Sequence, residues 1–451
     1  STFRLYREAS SPAAMCRAPE WHQDDKFSIE QEWPKDAKFP DVVIDQKYPS
    51  LSQIKAWIPA SCFEKSTAKS MYYFVRDASC ILGTQAAILA LCRSAAFAAL
   101  PLLVQYAALW PLQFASGFFM WCMFVVGHDC GHTTFSPSSA VNEIMGEVSH
   151  SVLLCTPFAP WRRSHHRHHS YHNHIKEDYS HMWFTESQQH KIMRIPHLAF
   201  HYAIRVATPF VNWFLYLYVG QPDGGHFLPL YGRLWKDASL GDFLRGYASS
   251  AVSAASMCLW YQLYGDCVVR AYCLPWMWYG WWLFTVTFFQ HHFDEMLLFR
   301  DGAWSYVRGA FETIDRTCGL GIRRFGRCER RLFTPLAVLR YGFGIDDFHH
   351  NITDGHVMRL FFPPMPHCHR TEWAIRHSSS LRHHLFFTKI PHYHLIAATK
   401  GMREGLEREG FTNLYKHRST PSFALDIHTF LHRNWFWVKD GNVVSKVRKA
   451  E

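Results

Sequence analysis

Apolar residues in this chain are gathered into blocks separated by long polar stretches. Residues 79–127 are almost continuously apolar and predict two membrane-spanning helices, since a bilayer core takes about 20 apolar residues per helix. The first span runs from about 79 to 100 with Arg93 as its one charge, and the second from about 107 to 126 with none. Gln105 and Pro111 fall around the turn between them. A second hairpin is predicted from spans at about 247–264 and 267–289, joined at Gly265-Asp266. Its Trp260, Trp276, Trp278, Trp281 and Trp282 suit interfacial belts. A further apolar stretch at 195–220 carries His197, His201 and Arg205 and is expected on or partly in the membrane. The competing reading is a large soluble helical protein, which spans with so few charges disfavour.

The polar remainder narrows the class. Residues 1–77 carry Pro12, Pro19, Pro34, Pro40 and Pro49 and read as a cytosolic arm rather than a cleavable signal. Over 451 residues the chain is 48% hydrophobic and 16% aromatic, too apolar for a disordered protein. Thirteen cysteines, odd in number and without a spacing pattern, exclude a small disulfide scaffold. The 30 histidines are the compositional excess that needs an explanation.

Many of them are clustered. His128 and His132 close the second span at i, i+4 spacing, which puts both rings on one helix face. His165, His168 and His169 come next as H-x-x-H-H, again on one face. Beyond the second hairpin stand His356 and the pair His383-His384. An even number of spans separates the clusters, so all three share one compartment. One H-x-x-x-H pair is more often packing or surface chemistry than a metal site; three clusters on one side are far more specific. Imidazole suits iron, copper, zinc and nickel, and an all-histidine set at membrane helix ends suits two irons that bind O2.

These motifs resemble those of the membrane fatty-acid desaturases, in the acyl-lipid Δ12/Δ15 (oleate/linoleate) branch. Pro49 to Pro59 with Cys62-Phe63 is similar to the family's pre-membrane segment, Gly127 to His132 to its first histidine box, and Trp161 to His169 to its second. Gln290-His291 is similar to its Gln-His after the last span. Phe348 to His356 and His384 to His392 are similar to the two sides of its third box. The resemblance implies an all-α membrane protein of two transmembrane hairpins, with a cytosolic helical cap holding a di-iron site. It implies iron ligands at His128, His132, His165, His168, His169, His356, His383 and His384, with His291 as a further candidate. His166, His172, His349 and His350 are expected behind the ligands or at the surface. The implied reaction is O2-dependent insertion of a cis double bond into a fatty-acyl lipid, with Δ12 favoured over Δ15. The implied electron donors are cytochrome b5 and its NADH reductase, because no fused haem signature is evident, and the implied location is the endoplasmic reticulum membrane with the site facing the cytosol.

The third box departs from the family pattern. His356-Val-Met358 should be followed directly by His-His, yet His383-His384 come after the 24 residues 359–382. Upstream, the 23 residues 318–340 interrupt an otherwise continuous match. Each insertion begins with a weak copy of the residues that come directly after it, as in Cys318-Gly-Leu-Gly-Ile against Tyr341-Gly-Phe-Gly-Ile. The desaturase domain is thus expected over 78–317, 341–358 and 383–430, with a tail at 431–451. Unspliced gene segments are the preferred explanation of the insertions; real surface loops and lesions in a decaying gene compete with it. The insertions also account for most of the charge: 318–340 carries six Arg and one Glu and 359–382 four Arg and one Glu, within a net charge of +10 for the whole chain. That basicity is therefore no sign of nucleic acid. The other functions considered are acyl hydroxylation or related chemistry on the same scaffold, a catalytically silent homologue, and a His-rich metal transporter. Against the last, the histidines cluster outside the spans rather than near the midplane.

Overall fold

The computed structural model describes residues 46–178, 184–185, 198–220, 223–227, 230–293, 295–320, 344–345, 386–420 and 437–445. Within them the chain is mostly helical: α1 (Leu51–Trp57), α2 (Thr67–Cys92), α3 (Ala95–Ala98), α4 (Leu102–Gly131), α5 (Ser139–Gly146), α6 (Phe158–Tyr171), α7 (Leu198–Phe214), α8 (Leu240–Tyr264), α9 (Leu274–His291), α10 (Tyr306–Phe311) and α11 (Leu395–Arg408). Among the described residues two helices, α2 and α4, are long and apolar enough to cross a membrane.

Local chemistry moves the element boundaries away from those expected of hydropathy. The first long helix begins at Thr67, well before 79, because the Ser66 side chain accepts from the Lys69 amide and caps it. It stops at Arg93, and the apolar residues 95–98 form a separate turn. Pro111 and Gln105 lie inside α4 rather than in a turn, so the second helix extends to both sides of 107–126. A capping box between Ser239 and Asp242 likewise starts α8 at Leu240. Capping satisfies orphan backbone N–H groups and is blind to hydropathy.

The long helices meet end to end in a consistent way. At one end, the Thr67 and Ser136 hydroxyls lie 2.8 Å apart, joining the start of α2 to the residues after α4. At the other, Arg270 donates to Gln105 Oε1 at 2.9 Å and Tyr264 donates to Gln85 Oε1 at 2.7 Å. Gly117 lets α4 and α9 touch: a Cβ there would lie 2.7 Å from the Pro275 carbonyl. α8 offers a face of buried Gly246, Ser249, Ser250, Ser253 and Ser256, small enough for close helix approach. α7, the expected peripheral stretch, packs on α9 through Trp213 and Gly280.

The structure is not purely α. Phe184–Thr185 pairs with Trp437–Val438, and Leu298–Phe299 with Val443–Val444, both parallel. Asp315–Leu320 lies between His417–Thr420 (parallel) and Gly344–Ile345 (antiparallel). These pairings join segments distant in sequence, where no helix periodicity exists to be read. The Asp315–Leu320 strand crosses the expected boundary at 317/318, and its pairing with Gly344–Ile345 sets Gly319 and Leu320, the start of the first insertion, beside residues that come just after it.

Candidate metal centre

Two helices deliver four of the expected ligands to one point. α4 ends with His128 and His132 one turn apart, and α6 carries His165 and His169 at the same spacing. One ring nitrogen from each of these four lies within 4.8 Å of all the others. The ring centroids of His128 and His165 are 4.6 Å apart, those of His132 and His169 4.6 Å, and the Nε2 atoms of His165 and His169 3.0 Å. Close packing fixes the helix ends. The His165 ring stacks on Trp161. Gly127 is in contact with the buried His150 ring, a position with no room for a side chain.

A second pair sits beside the four. His168, on the same helix, faces His291 at the end of α9, with ring centroids 4.9 Å apart. Its Nδ1 lies 2.8 Å from Asp178 Oδ1, an arrangement that fixes the tautomer and presents the other nitrogen. Burial lowers the His168 pKa to about 3 and keeps the ring neutral, the state a metal needs. Asp178 is held in turn by the Asn173 amide at 3.1 Å. Asn173 takes a left-handed conformation, φ 57°, which Asn tolerates better than most residues.

His166 and His172 are engaged with the backbone. His166 Nε2 is 2.9 Å from the Gly131 carbonyl. The two ring nitrogens of His172 lie 2.9 and 3.1 Å from the carbonyls of His169 and Tyr306. Residues 349, 350, 356, 383 and 384 lie outside the described residues, so three of the nine expected ligands are not placed.

Three supporting residues were not anticipated. Asp129 accepts from the His392 amide at 3.2 Å and lies 2.6 Å from its Nδ1. Lys389 donates to the His132 carbonyl at 3.2 Å and to Thr133 Oγ1 at 2.8 Å. The segment after the third histidine group is therefore clasped onto the first. Asp129 stands between two box histidines, a signal of sorts; Asp178 has none.

An apolar cavity of about 210 Å³ opens between α4, α7 and α9. Trp121, Phe124, Trp213, Leu283 and Phe284 wall it, and His128, His165, His168, His169 and His291 line its polar end. A site of this form suits a long hydrocarbon presented to a metal.

Comparison with known proteins shows the family. The fatty acid desaturase family model matches residues 105–326. The chain is 30% identical over 428 residues to a Δ12 fatty acid desaturase of Caenorhabditis elegans, covering 91% of this chain and 96% of that protein. It is 31% identical over 384 residues to an endoplasmic reticulum acyl-lipid omega-3 desaturase (cytochrome b5) of Arabidopsis thaliana, covering 84% and 80%. It is 29% identical over 361 residues to an sn-1 acyl-lipid omega-3 desaturase (ferredoxin) of Nostoc sp., covering 78% and 80%. The helical scaffold, the histidine cluster below its apolar cavity and relatives matched along most of the chain lead to one conclusion: this protein belongs to the fatty acid desaturase family and is an oxidoreductase of lipid metabolism.

Proposed function

We propose that the chain introduces a cis double bond into the fatty-acyl chain of a membrane lipid, most specifically the Δ12 bond that turns an oleoyl into a linoleoyl group. The observation that carries this reading is the set of four histidines, with donor atoms within 4.8 Å, at the polar end of an apolar cavity. The donor set fits iron: imidazole nitrogens, with His132 and His169 buried and His128 and His165 partly so, and an aspartate behind His168. His128, His132, His165 and His169 would hold one iron. His168 and His291 would hold a second, together with His356, His383 and His384. When bound, the iron pair supplies O2 activation, which acid–base side chains cannot deliver to an unactivated methylene.

The chain's own part is placement. Trp121, Phe124 and Phe284 hold the hydrocarbon and exclude water, and the narrow cavity presents a short stretch of methylenes to the histidines. Two hydrogens leave the acyl chain; with O2, two electrons and two protons they leave as two waters. The electrons come from outside the chain, for which cytochrome b5 and its NADH reductase are the proposed donors. Among relatives both cytochrome b5 and ferredoxin types occur. We place the protein in the endoplasmic reticulum membrane, with α2/α4 and α8/α9 as two hairpins and the histidine end facing the cytosol.

The split third box is compatible with this reading on its C-terminal side. Phe386 is buried against Phe311, and Lys389 and His392 clasp the first box. Expression in a host that makes only monounsaturated lipid, followed by fatty-acid profiling, is the test. A 9,12-diene is expected; an ω-3 product from added linoleate would shift the reading to Δ15, and a hydroxylated product to the hydroxylase. Lipid profiles unchanged and no iron bound would favour the silent homologue.

A further inference from the structure

The face of α6 opposite its box histidines lines a second, larger cavity of about 640 Å³. Arg162, Arg163 and Arg167 project into it from α6, and Arg233 and Arg245 from the facing segment and the first turns of α8. Two aspartates, Asp237 and Asp242, complete its charged lining. Five guanidinium groups meet two carboxylates in the lining, and Glu143 and Glu177 pair with Arg162 and Arg167 at its edge, so the cavity is a dense array of arginines with nearly as many carboxylates.

Four of the arginines are held in place by carboxylate partners. Arg162 pairs with Glu143, and Arg167 pairs with Glu177 while lying 4.1 Å from the Tyr171 ring centroid. Arg163 donates to the Leu234 carbonyl at 2.6 Å and lies 3.5 Å from Asp242, which also accepts from Arg245 at 2.8 Å. Each guanidinium has five donors in a planar fork, so one carboxylate does not exhaust it. A preorganised set of forks around a concave space is suited to a phosphate group.

Beside these charges stand aliphatic residues exposed to an unusual degree. Leu240 and Leu244 bracket Asp242 on α8 at 61% and 62% exposure, and Ile144 follows Glu143 on α5 at 62%. Exposed aliphatics next to clustered arginines are the combination that engages a lipid surface, where apolar side chains enter the acyl boundary and the cations meet phosphates.

We propose that this groove binds the phosphate-bearing headgroup of a membrane glycerophospholipid, separately from the acyl cavity on the other face of α6. The proposal does not depend on turnover, so its test is a binding measurement on the full chain in neutral detergent. Dihexanoyl phosphatidylglycerol is titrated calorimetrically, with dihexanoylglycerol and inorganic phosphate as comparison probes. The phospholipid is expected to bind at least tenfold more tightly than either, and tenfold more weakly to the Arg233→Gln/Arg245→Gln double variant. Arg233→Lys/Arg245→Lys, which keeps the charge and loses the fork, is expected to fall between. Arg403→Gln, on α11, is expected to bind as the parent does. Equal binding of the uncharged diacylglycerol, of phosphate alone or of the Gln double variant overturns the proposal. An equal loss in Arg403→Gln overturns it too, because charge and not the groove would then be responsible. A thermal midpoint within 2 °C of the parent for the Lys pair keeps misfolding from imitating loss of the site.

Discussion

The four-histidine cluster and the third histidine group are assembled in contrasting ways. His128, His132, His165 and His169 come from two helices at i, i+4 spacing, so each helix orients two of the proposed ligands as soon as it forms. Only the contact between α4 and α6 remains to be made, and packing of Trp161, Phe124 and His150 makes it. The third group instead depends on residues 356, 383 and 384, which the sequence separates. What supports it is a clasp made just downstream of His384, from Lys389 and His392 to the first box. Ligands placed by helix spacing survive an insertion elsewhere; ligands placed by tertiary contacts are exposed to it. Loop closure over such a length is thermodynamically cheap, but ligand placement demands far finer tolerance.

The sharpest way to break this contrast is His169→Ala. It removes a ligand from the cluster and is expected to abolish diene formation and to cost one metal equivalent per chain, measured by elemental analysis. Retention of full metal content would show that the four do not act as one site. Next in size, Asp178→Asn leaves the histidines in place and withdraws the group behind His168. Metal affinity should fall by about 10- to 100-fold, read by competition with a chelator, with the helical signal in circular dichroism unchanged.

Deleting 359–382 should act in the opposite direction. Metal content is expected to rise towards two per chain, and diene yield to increase several-fold, because His356 and His383-His384 then share one helical register. If the full-length form makes diene and the shortened form does not, the segment is part of the working protein and the contrast fails.

The smallest expected effect concerns stability away from the cluster. His226 is fully buried and its pKa is pushed down to about 3 by desolvation. An unfolded histidine takes up a proton near pH 6.5, so the proton favours the unfolded chain and stability falls as pH drops from about 6.5 towards 3. Replacing His226 with Phe should flatten that part of the acid-unfolding curve, monitored by tryptophan fluorescence; an unchanged slope would mean that other groups carry it.

Much of the site was legible because imidazoles at helical spacing form a local code: all four residues of the cluster, and the His168–His291 pair beside them, were named from spacing and resemblance. The supporting groups were not. Asp178 reaches His168 only because a left-handed Asn173 turns the chain back after α6, and that turn has no periodic signature. The apolar helices α2 and α4 were legible from hydropathy, whereas the starts at Thr67 and Leu240 came from Ser66 and Ser239 caps. The parallel pairings of Leu298–Phe299 with Val443–Val444 and of Asp315–Leu320 with His417–Thr420 join segments about a hundred residues apart or more, beyond any local pattern.

Sequence alone determined the apolar helices, the histidine faces and the chemistry those faces imply, since each depends on neighbours within a few turns. Tertiary structure decided which faces meet, and with what around them. It set the apolar cavity against the histidines and the arginines of α6 on its opposite side. It clasped His392 onto Asp129 across 263 residues. Those outcomes depend on packing between distant segments, whose free energy is a sum over contacts that no short stretch of sequence contains.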